Sequence, residues 1–398
     1  MSDLTTKPLG ELIRIKKGKK PASVTTNRRN EADRPYLLIE SFGGNYKLFT
    51  DDSSCPYSSR EDTLLVWDGE RCGLTSTGHE GYIGSTLASI SRSTGNLEAS
   101  YLYHFLVSKR KAIRNSAEGT GVPHVSRRFL EDIEILVPPL PEQKKIAEIL
   151  SGIDREIELL AKAIDSHRTT RNALIESIFE DGHKKAENGS SEWRVWSIED
   201  LLASTATPMR SGPFGSALLK EELAKEGIPF LGIDNVRTEE FVLTFKRFLT
   251  DEKFKELKRY EVFPQDVMIT IMGTVGRSCV VPEGIGPCVS SKHTWTMTFD
   301  HSKVAPEIIC WQLNHYGRTR TKFLESSQGG VMDAISSQTL RETEVPIPTC
   351  RVFAEQIVGQ YKSSHNHEQT LNKKFRKMKL LKNAVASDLL SGRKRVSI

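Results

Sequence analysis

The sequence predicts an α+β fold built twice: two tandem globular domains, each followed by a long helix. The two helices are expected to pack as an antiparallel coiled coil under a pseudo-twofold internal repeat. Three observations carry this expectation: similar stretches recur about 210 residues apart, two long segments carry heptad-spaced apolar residues, and each of those segments is entered through a proline-containing run.

The repeat is clearest where "SAEGTGVPHVSRRFLEDIEILVP" (116–138) aligns with "SSQGGVMDAISSQTLRETEVPIP" (326–348). Ser116, Gly119, Ser126, Leu130, Glu134 and Pro138 recur as Ser326, Gly329, Ser336, Leu340, Glu344 and Pro348. Further upstream "EDTLLVWDG" (61–69) resembles "PQDVMITIMG" (264–273), and "RPYLLIES" (34–41) parallels "IPFLGIDN" (228–235). These short β-branched and apolar runs, closed by Gly or polar residues, read as strands. The implied organisation is a first domain over 1–140, a long helix over 141–182, a linker over 183–192, a second domain over 193–350 and a final helix over 351–398.

"VPPLP" leads into the first helix and "VPIP" precedes the second, positions that suit proline before or at a first turn. From Glu142 to Asp181 the first helix would measure about 60 Å at about 1.5 Å per residue. Its seam is Ile146, Leu150, Ile153, Ile157, Leu160 and Ile164, then Leu174 and Ile178, with His167 and Arg171 interrupting. The second helix keeps the register through Ile357, Tyr361, Leu371, Phe375, Met378, Val385 and Leu389, with Ser364, Glu368 and Lys382 at seam positions. An isolated helix with such a stripe exposes a large apolar surface, so each needs a partner, and the other copy is the obvious one. In an antiparallel pair the polar interruptions share one end and can fix the orientation. "EDGHKKAENGSSEW" (180–193) reads as a helix stop and linker.

Net charge is only +5, but it is uneven: 351–398 carries eleven Lys/Arg against three Asp/Glu, whereas 142–185 carries eight against nine. A uniformly basic surface is thereby excluded, and the basic residues Lys373, Lys374, Arg376, Lys377, Lys379 and Lys382 either complement Glu148, Asp154, Glu156 and Glu158 on the other helix or are solvated, readings preferred to contact with a DNA backbone. The six cysteines are scattered without a CxxC pair, so neither a zinc site nor a disulfide framework is expected. No apolar run approaches membrane-span length and the N-terminus has no signal-like apolar core, from which a cytoplasmic protein with no membrane contact is expected.

The chain has no GxxxxGK[ST] loop, no NPPY-like tetrapeptide, no GxSxG elbow and no HExxH helix. "HNH" at His365 to His367 falls inside the second long helix, away from metal-binding surroundings. No catalytic residue, metal site or cofactor is therefore assigned to this chain.

"PLPEQKKIAEILSGID" (139–154) closely resembles the central conserved region of specificity subunits of Type I restriction-modification systems. "LLSGRKRV" (389–396) resembles the end of their second conserved region, and "SGPFGSALLKEELAKEGIPFLGIDNV" (211–236) is similar to the start of many of their target-recognition domains. The second helix departs from the pattern: "RVFAEQIVGQY" lacks the expected Pro before Glu355 and Gln356. The resemblance implies two target-recognition domains that each read one half of a split, asymmetric double-stranded DNA site. It implies helices that space the readers and dock two methyltransferase subunits, which bind S-adenosylmethionine and methylate adenine at N6. It also implies restriction subunits with translocase and nuclease activity. Rival readings are a self-sufficient DNA enzyme, which lacks its motifs here, a coiled-coil scaffold without sequence-specific DNA binding, and the specificity part of a related phage-defence methylation system.

Specific DNA reading needs phosphate clamps and side chains that reach base edges. In the first domain the candidates are Lys16, Lys17, Lys19, Lys20, Arg28, Arg71, Thr75, Arg127 and Arg128; in the second they are Arg210, Ser211, Arg277, Ser291, Lys292 and His293. Glycines in "RSGPFGS" and "GTVGRS" leave backbone amides open to a phosphate. His124 and Trp295 are read as packing residues.

Overall fold

The computed structural model describes residues 5–119, 121–327 and 335–397. The chain forms two compact units, Met1–Lys162 with Asn372–Ile398, and Ala163–Leu371. Each long helix therefore contributes to both.

In the first unit the strands are β1 (Thr5–Pro8), β2 (Ile13–Lys17), β3 (Arg34–Leu37), β4 (Phe49–Thr50), β5 (Tyr57–Ser58), β6 (Thr63–Val66), β7 (Thr75–Thr77), β8 (Gly81–Ile83), β9 (Leu87–Arg92) and β10 (Glu134–Val137). Helices α1 (Ala99–Asn115) and α2 (Arg127–Asp132) precede β10, and α3 (Leu140–Glu187) follows it. The sheets run β2-β9-β6-β7 and β4-β3-β8-β5, with β1 paired to β10. All four residues of β6 are buried because the strand feeds two cores. Leu65 faces one with Ile90, Tyr101, Leu106 and Leu130, while Leu64 and Val66 face another with Leu37, Ile83 and Leu87.

The second unit repeats this plan. Its strands are β11 (Trp193–Ser197), β12 (Met209–Ser211), β13 (Ile228–Leu231), β14 (Val236–Arg237), β15 (Glu240–Phe241), β16 (Phe248–Leu249), β17 (Val267–Thr270), β18 (Ser278–Val280), β19 (Val289–Ser290), β20 (Thr294–Met297) and β21 (Glu344–Pro348). Its helices are α4 (Ile198–Leu201), α5 (Asp251–Glu256), α6 (Pro306–His315), α7 (Gly317–Ser327), α8 (Ser337–Arg341) and α9 (Arg351–Leu390). The sheet β12-β20-β17-β18 matches β2-β9-β6-β7, β16-β13-β19 matches β4-β3-β8, and β11-β21 matches β1-β10. Even the parallel pairings correspond, β3 with β8 and β13 with β19. β17 divides its side chains as β6 does, Val267 and Ile269 to one core and Met268 to another.

The recurring residues now have reasons. Ser126 and Ser336 are the N-caps of α2 and α8, their hydroxyls accepting from the Phe129 and Thr339 amides. Leu130 and Leu340 follow one turn later and are fully buried. Glu134 and Glu344 open β10 and β21. Gly329 lies outside the described residues, and so does the side chain of Ser326.

The first helix differs from its expected span. It covers 48 residues, and the stretch expected to stop it is helical to Glu187, so of the expected linker only 188–192 lies outside helix and strand. Gly182 sits inside the helix because a Cβ there would lie 2.5 Å from the Trp193 ring: the glycine lets β11 dock closely. The chain turns instead at Gly189, with φ of 78°, as α9 is followed by Gly392 at 74°.

Pairing is antiparallel within each unit. In the first, Ile146 and Leu150 of α3 meet Val385, Leu389 and Leu390 of α9, and Lys382 Nζ stands 2.5 Å from Asp154 Oδ1, as charge complementarity requires. Ile153, Ile157, Leu160, Phe375 and Met378 are half-buried along the same helices. In the second, Ile357 and Tyr361 share a core with Ile175 and Phe179, with Ile178 packed against it; Ile164 is buried and Leu371 half-buried. Leu174, expected in the seam, is 52% exposed, and Ile175 takes its place. An α-helix of 3.6 residues per turn drifts about 20° per heptad, so after the polar break the stripe moves on by one residue.

No described helix is long and apolar enough to cross a membrane. All six cysteines are free thiols, Cys350 exposed and the rest buried.

The repeated Leu and Ser make separable contributions. Leu340→Ala is expected to lower unfolding free energy by about 2–5 kcal/mol and Ser336→Ala by about 1 kcal/mol, read by urea denaturation.

Candidate nucleic-acid interface

The same backbone approach builds one end of the main sheet in both units. In the second unit β12 pairs with β20, setting Ser211 opposite Trp295. Beyond the strand, the Gly212 amide donates to the Ser291 carbonyl at 3.3 Å. A Cβ on Gly212 would lie 2.0 Å from the Ser290 carbonyl oxygen, so no other residue fits without parting the two segments. The Ile271 amide donates to the His293 carbonyl at 3.0 Å, and His293 Nδ1 rests 3.3 Å from Met272 Sδ. The stretches 210–216, 273–278 and 290–295 thus converge. In the first unit Gly18 plays the part of Gly212: its amide donates to the Leu87 carbonyl at 2.9 Å, and a Cβ would lie 2.2 Å from the Gly84 carbonyl oxygen.

The side chains at these loops divide into presented and enclosed groups. Arg277 and Lys292 are exposed, His293 is half-buried, and Phe214 is 61% exposed in the Gly-rich turn after Gly212. Ser211 and Ser291 are buried, which removes them from contact with a ligand at the surface. Arg210 is corrected most firmly. It is 5% exposed; its guanidinium donates to the Glu261 carbonyl at 2.5 Å, the Thr207 carbonyl at 3.2 Å, the Thr298 hydroxyl at 2.9 Å and the Asp266 carboxylate. This arginine is a buried tie, and with its donors committed inward it offers nothing to a phosphate. Trp295 is a packing residue as expected, its indole donating to the Ile335 carbonyl at 3.3 Å.

In the first unit Lys16, Lys17, Lys19, Lys20, Arg28, Arg71, Arg127 and Arg128 are exposed, whereas Thr75 is buried on β7 opposite Leu65. Lys17 Nζ pairs with Asp68 at 2.8 Å. The Gly69 amide donates to the Pro123 carbonyl and the Val125 amide to the Trp67 carbonyl, bringing the turn that holds Arg71 beside the segment that leads to Arg127. Arg127 and Arg128 are engaged by Glu131 and Asp132 one turn along α2. Arg28 lies apart from these, in a recess of about 290 Å³ with Arg34, Arg60, Tyr46, Phe49 and Glu80. Sequence reasoning missed Arg34, Arg60 and Tyr46, which sit on a strand end and two loops brought together only by the fold. Tyr46 is held there by His79, whose Nδ1 is 3.0 Å from the phenol oxygen. Burial pushes the His79 imidazole below its ordinary value.

The polar interruptions of the helix seams meet each other in the second unit. His167 lies 3.2 Å from the Ser364 hydroxyl and packs on His367 with ring centroids 5.0 Å apart. Arg171 donates to Glu368 at 2.9 Å and to Glu239 at 3.0 Å. Glu239 comes from the turn between β14 and β15 and has φ of 60°, a left-handed conformation that costs a non-glycine residue roughly 1–2 kcal/mol. Its carboxylate, 2% exposed, also accepts from His315 of α6 and faces His365 Nδ1 at 3.7 Å. Burial pushes this carboxyl up, but the His315 hydrogen bond, His365 and the Arg171 charge outweigh it and hold it at about 2. The "HNH" histidines are accounted for by packing: His365 stacks on Tyr361 and faces Glu239, and His367 rests on His167.

A family model described as the Type I restriction modification DNA specificity domain matches residues 1–166. The Type I restriction enzyme MjaVIII specificity subunit of Methanocaldococcus jannaschii is 24% identical over 407 residues, covering 98% of this chain and 92% of that protein. The EcoBI specificity subunit of Escherichia coli is 23% identical over 311 residues, covering 73% of this chain and 64% of its own length. Among solved structures, a Type I restriction-modification S subunit from M. genitalium superposes with a TM-score of 0.61 at 16% identity, covering 98% of this chain and 96% of that one.

The contrast between enclosed and presented arginines is measurable. Arg210→Ala leaves Asp266 buried without its charge partner and is expected to lower stability by about 3–5 kcal/mol. Arg277→Ala should stay within about 0.5 kcal/mol of the parent, both read by urea denaturation.

Proposed function

Because the chain belongs to the specificity subunits of Type I restriction-modification systems, we propose that each of its two sheet-bearing units reads one half of a bipartite, asymmetric DNA site. A specificity subunit is the non-catalytic, DNA-recognising component of its complex. The observation that carries the finer reading is the duplicated sheet end: in each unit a glycine-enforced crossing gathers loops that present cations to solvent. Exposed Lys and Arg, Lys292 among them, supply the sequence-independent phosphate attraction, and Arg277 has the length and donors to reach base edges. Phe214 offers an exposed aromatic face beside them. The two sets of side chains differ, which supports different half-sites.

In this reading the paired helices set the distance between half-sites and carry the docking surface for two methyltransferase subunits. Leu159, Leu380 and Leu381 support docking, since helix pairing leaves them 52%, 70% and 48% exposed. The methyltransferase subunits bring S-adenosylmethionine and methylate adenine N6; restriction subunits supply translocation and cleavage. Nothing in this chain is asked to do bond chemistry.

Co-expression with the methyltransferase subunit encoded beside it, followed by genome-wide mapping of N6-methyladenine, should return a split motif; methylation at single unsplit sites overturns the proposal. Deleting seven residues from each helix in register, about 10 Å of helix, should shorten the gap by about three base pairs and leave both half-sites unchanged. Replacing Lys292 with Ala should weaken DNA binding across sequences and reduce the salt slope by about one ion.

A further inference from the structure

In the parallel stretch of the first unit no acidic residue stands at the position of Glu239. There the chain reads "IESFGGNY", with Asn45 at the position of Glu239, and takes its left-handed step one residue earlier at Gly44, φ 78°, where a Cβ would meet nothing within 4 Å. The second unit reads "IDNVRTEEF" and places a glutamate in the left-handed region instead. A carboxylate so placed must be over-determined by its surroundings. Three helices supply them: Arg171 from α3, itself shared with Glu368, His315 from α6, and His365 from α9. The turn is also tied to the sheet, the Glu239 amide donating to the Ser278 carbonyl at 2.8 Å.

Ser278 directly follows Arg277, so one residue links the helix pair to the loop that presents that arginine. The neighbours on either side extend the link. Thr238, His315 and Asn172 line a recess of about 390 Å³ together with the exposed Arg277 and Arg320. The cluster's charges are two arginines, Arg171 and Arg168, against Glu239 and Glu368, with His315 and His365 facing Glu239 and His167 and His367 beside them. Removing the Glu239 charge leaves Arg171 with Glu368 as its one acid, which it shares with Arg168.

We infer that Glu239 is a positioning residue for DNA reading: with Arg171 it pins the β14–β15 turn and the Arg277 loop to the helix pair, fixing where the second unit's reading surface stands. This rests on the function proposed above. The carboxylate acts through Arg277 and Arg320 and does not itself touch DNA.

The test uses the full chain, with and without its methyltransferase subunit, as parent, E239Q and E239D. E239D keeps the charge and tolerates the left-handed backbone. In the complex, E239Q should lose about tenfold of the discrimination against base changes in one half-site, the half identified by Arg277→Ala, while the other half-site is read as in the parent; E239D should restore part of it. On the chain alone, hydrogen exchange should show faster opening of the turn at 236–241 and of 167–175 in E239Q, with the first unit unchanged. The difference between parent and E239Q should be full above the ordinary glutamate value of 4.5 and shrink as pH falls toward about 2, where the parent carboxylate is itself protonated. Equal loss at both half-sites, unchanged exchange at 236–241, or a parent-minus-variant difference that ignores pH would each overturn the inference. If the parent complex methylates no split site, the proposed function fails while the exchange and pH arms still decide the joint.

Discussion

The constraint on which the rest depends is that neither long helix is stable alone. Each carries an apolar stripe too long to leave in water, and an isolated helix draws little stability from its backbone. Antiparallel pairing solves both problems in both units at once. Ile146 and Leu150 close against Leu389 and Leu390 in one, and Ile175 and Phe179 meet Ile357 and Tyr361 in the other. Because the helix residues enter the same clusters as the sheets, the helices are part of each unit's core. A disturbance in the pairing is therefore felt in the sheets.

Built on that frame, the two sheet arrangements show what duplication holds and what it releases. Strand order, the parallel pairings, the capping serines and the close approach at Gly18 and Gly212 are shared. These are backbone requirements, and a side chain that violates them separates strands. The charged positions at the same places have diverged. Lys16 on β2 is exposed, whereas Arg210, at the same register position on β12, is enclosed with Asp266. The frame tolerates either arrangement, which lets one architecture present two chemically different surfaces.

Much of this was legible in the sequence, and the failures have physical causes. The repeat was visible because caps, core leucines and strand ends recur at a fixed separation, and the helix seam was visible up to Ile164. It failed at Leu174 because a seven-residue template ignores the drift of a straight helix. The stretch 180–193 reads as a helix stop because sequence does not show the Trp193 ring that occupies the space of the absent Gly182 side chain. Arg210, Ser211, Ser291 and Thr75 were nominated by residue type, and only burial distinguishes an arginine that faces solvent from one that ties a core. Arg34, Arg60 and Tyr46 escaped because their proximity is made by sheet topology. Glu239 gave no signal at all: a glutamate in a polar turn looks like a solvated one until three helices are seen to close on it.

The Glu239 cluster also limits how the molecule can be remade. The carboxylate belongs to the sheet-bearing part of the second unit, but Arg171 and Glu368 belong to the helices. A foreign lobe transplanted between the same helices would leave that guanidinium with Glu368 as its one acid in a water-poor pocket unless the graft brought a second to the same turn. The first unit has Asn45 at the matching position and carries no such obligation. Lobe exchange should therefore be permissive on one side of the chain and selective on the other, an asymmetry set by a single acidic residue.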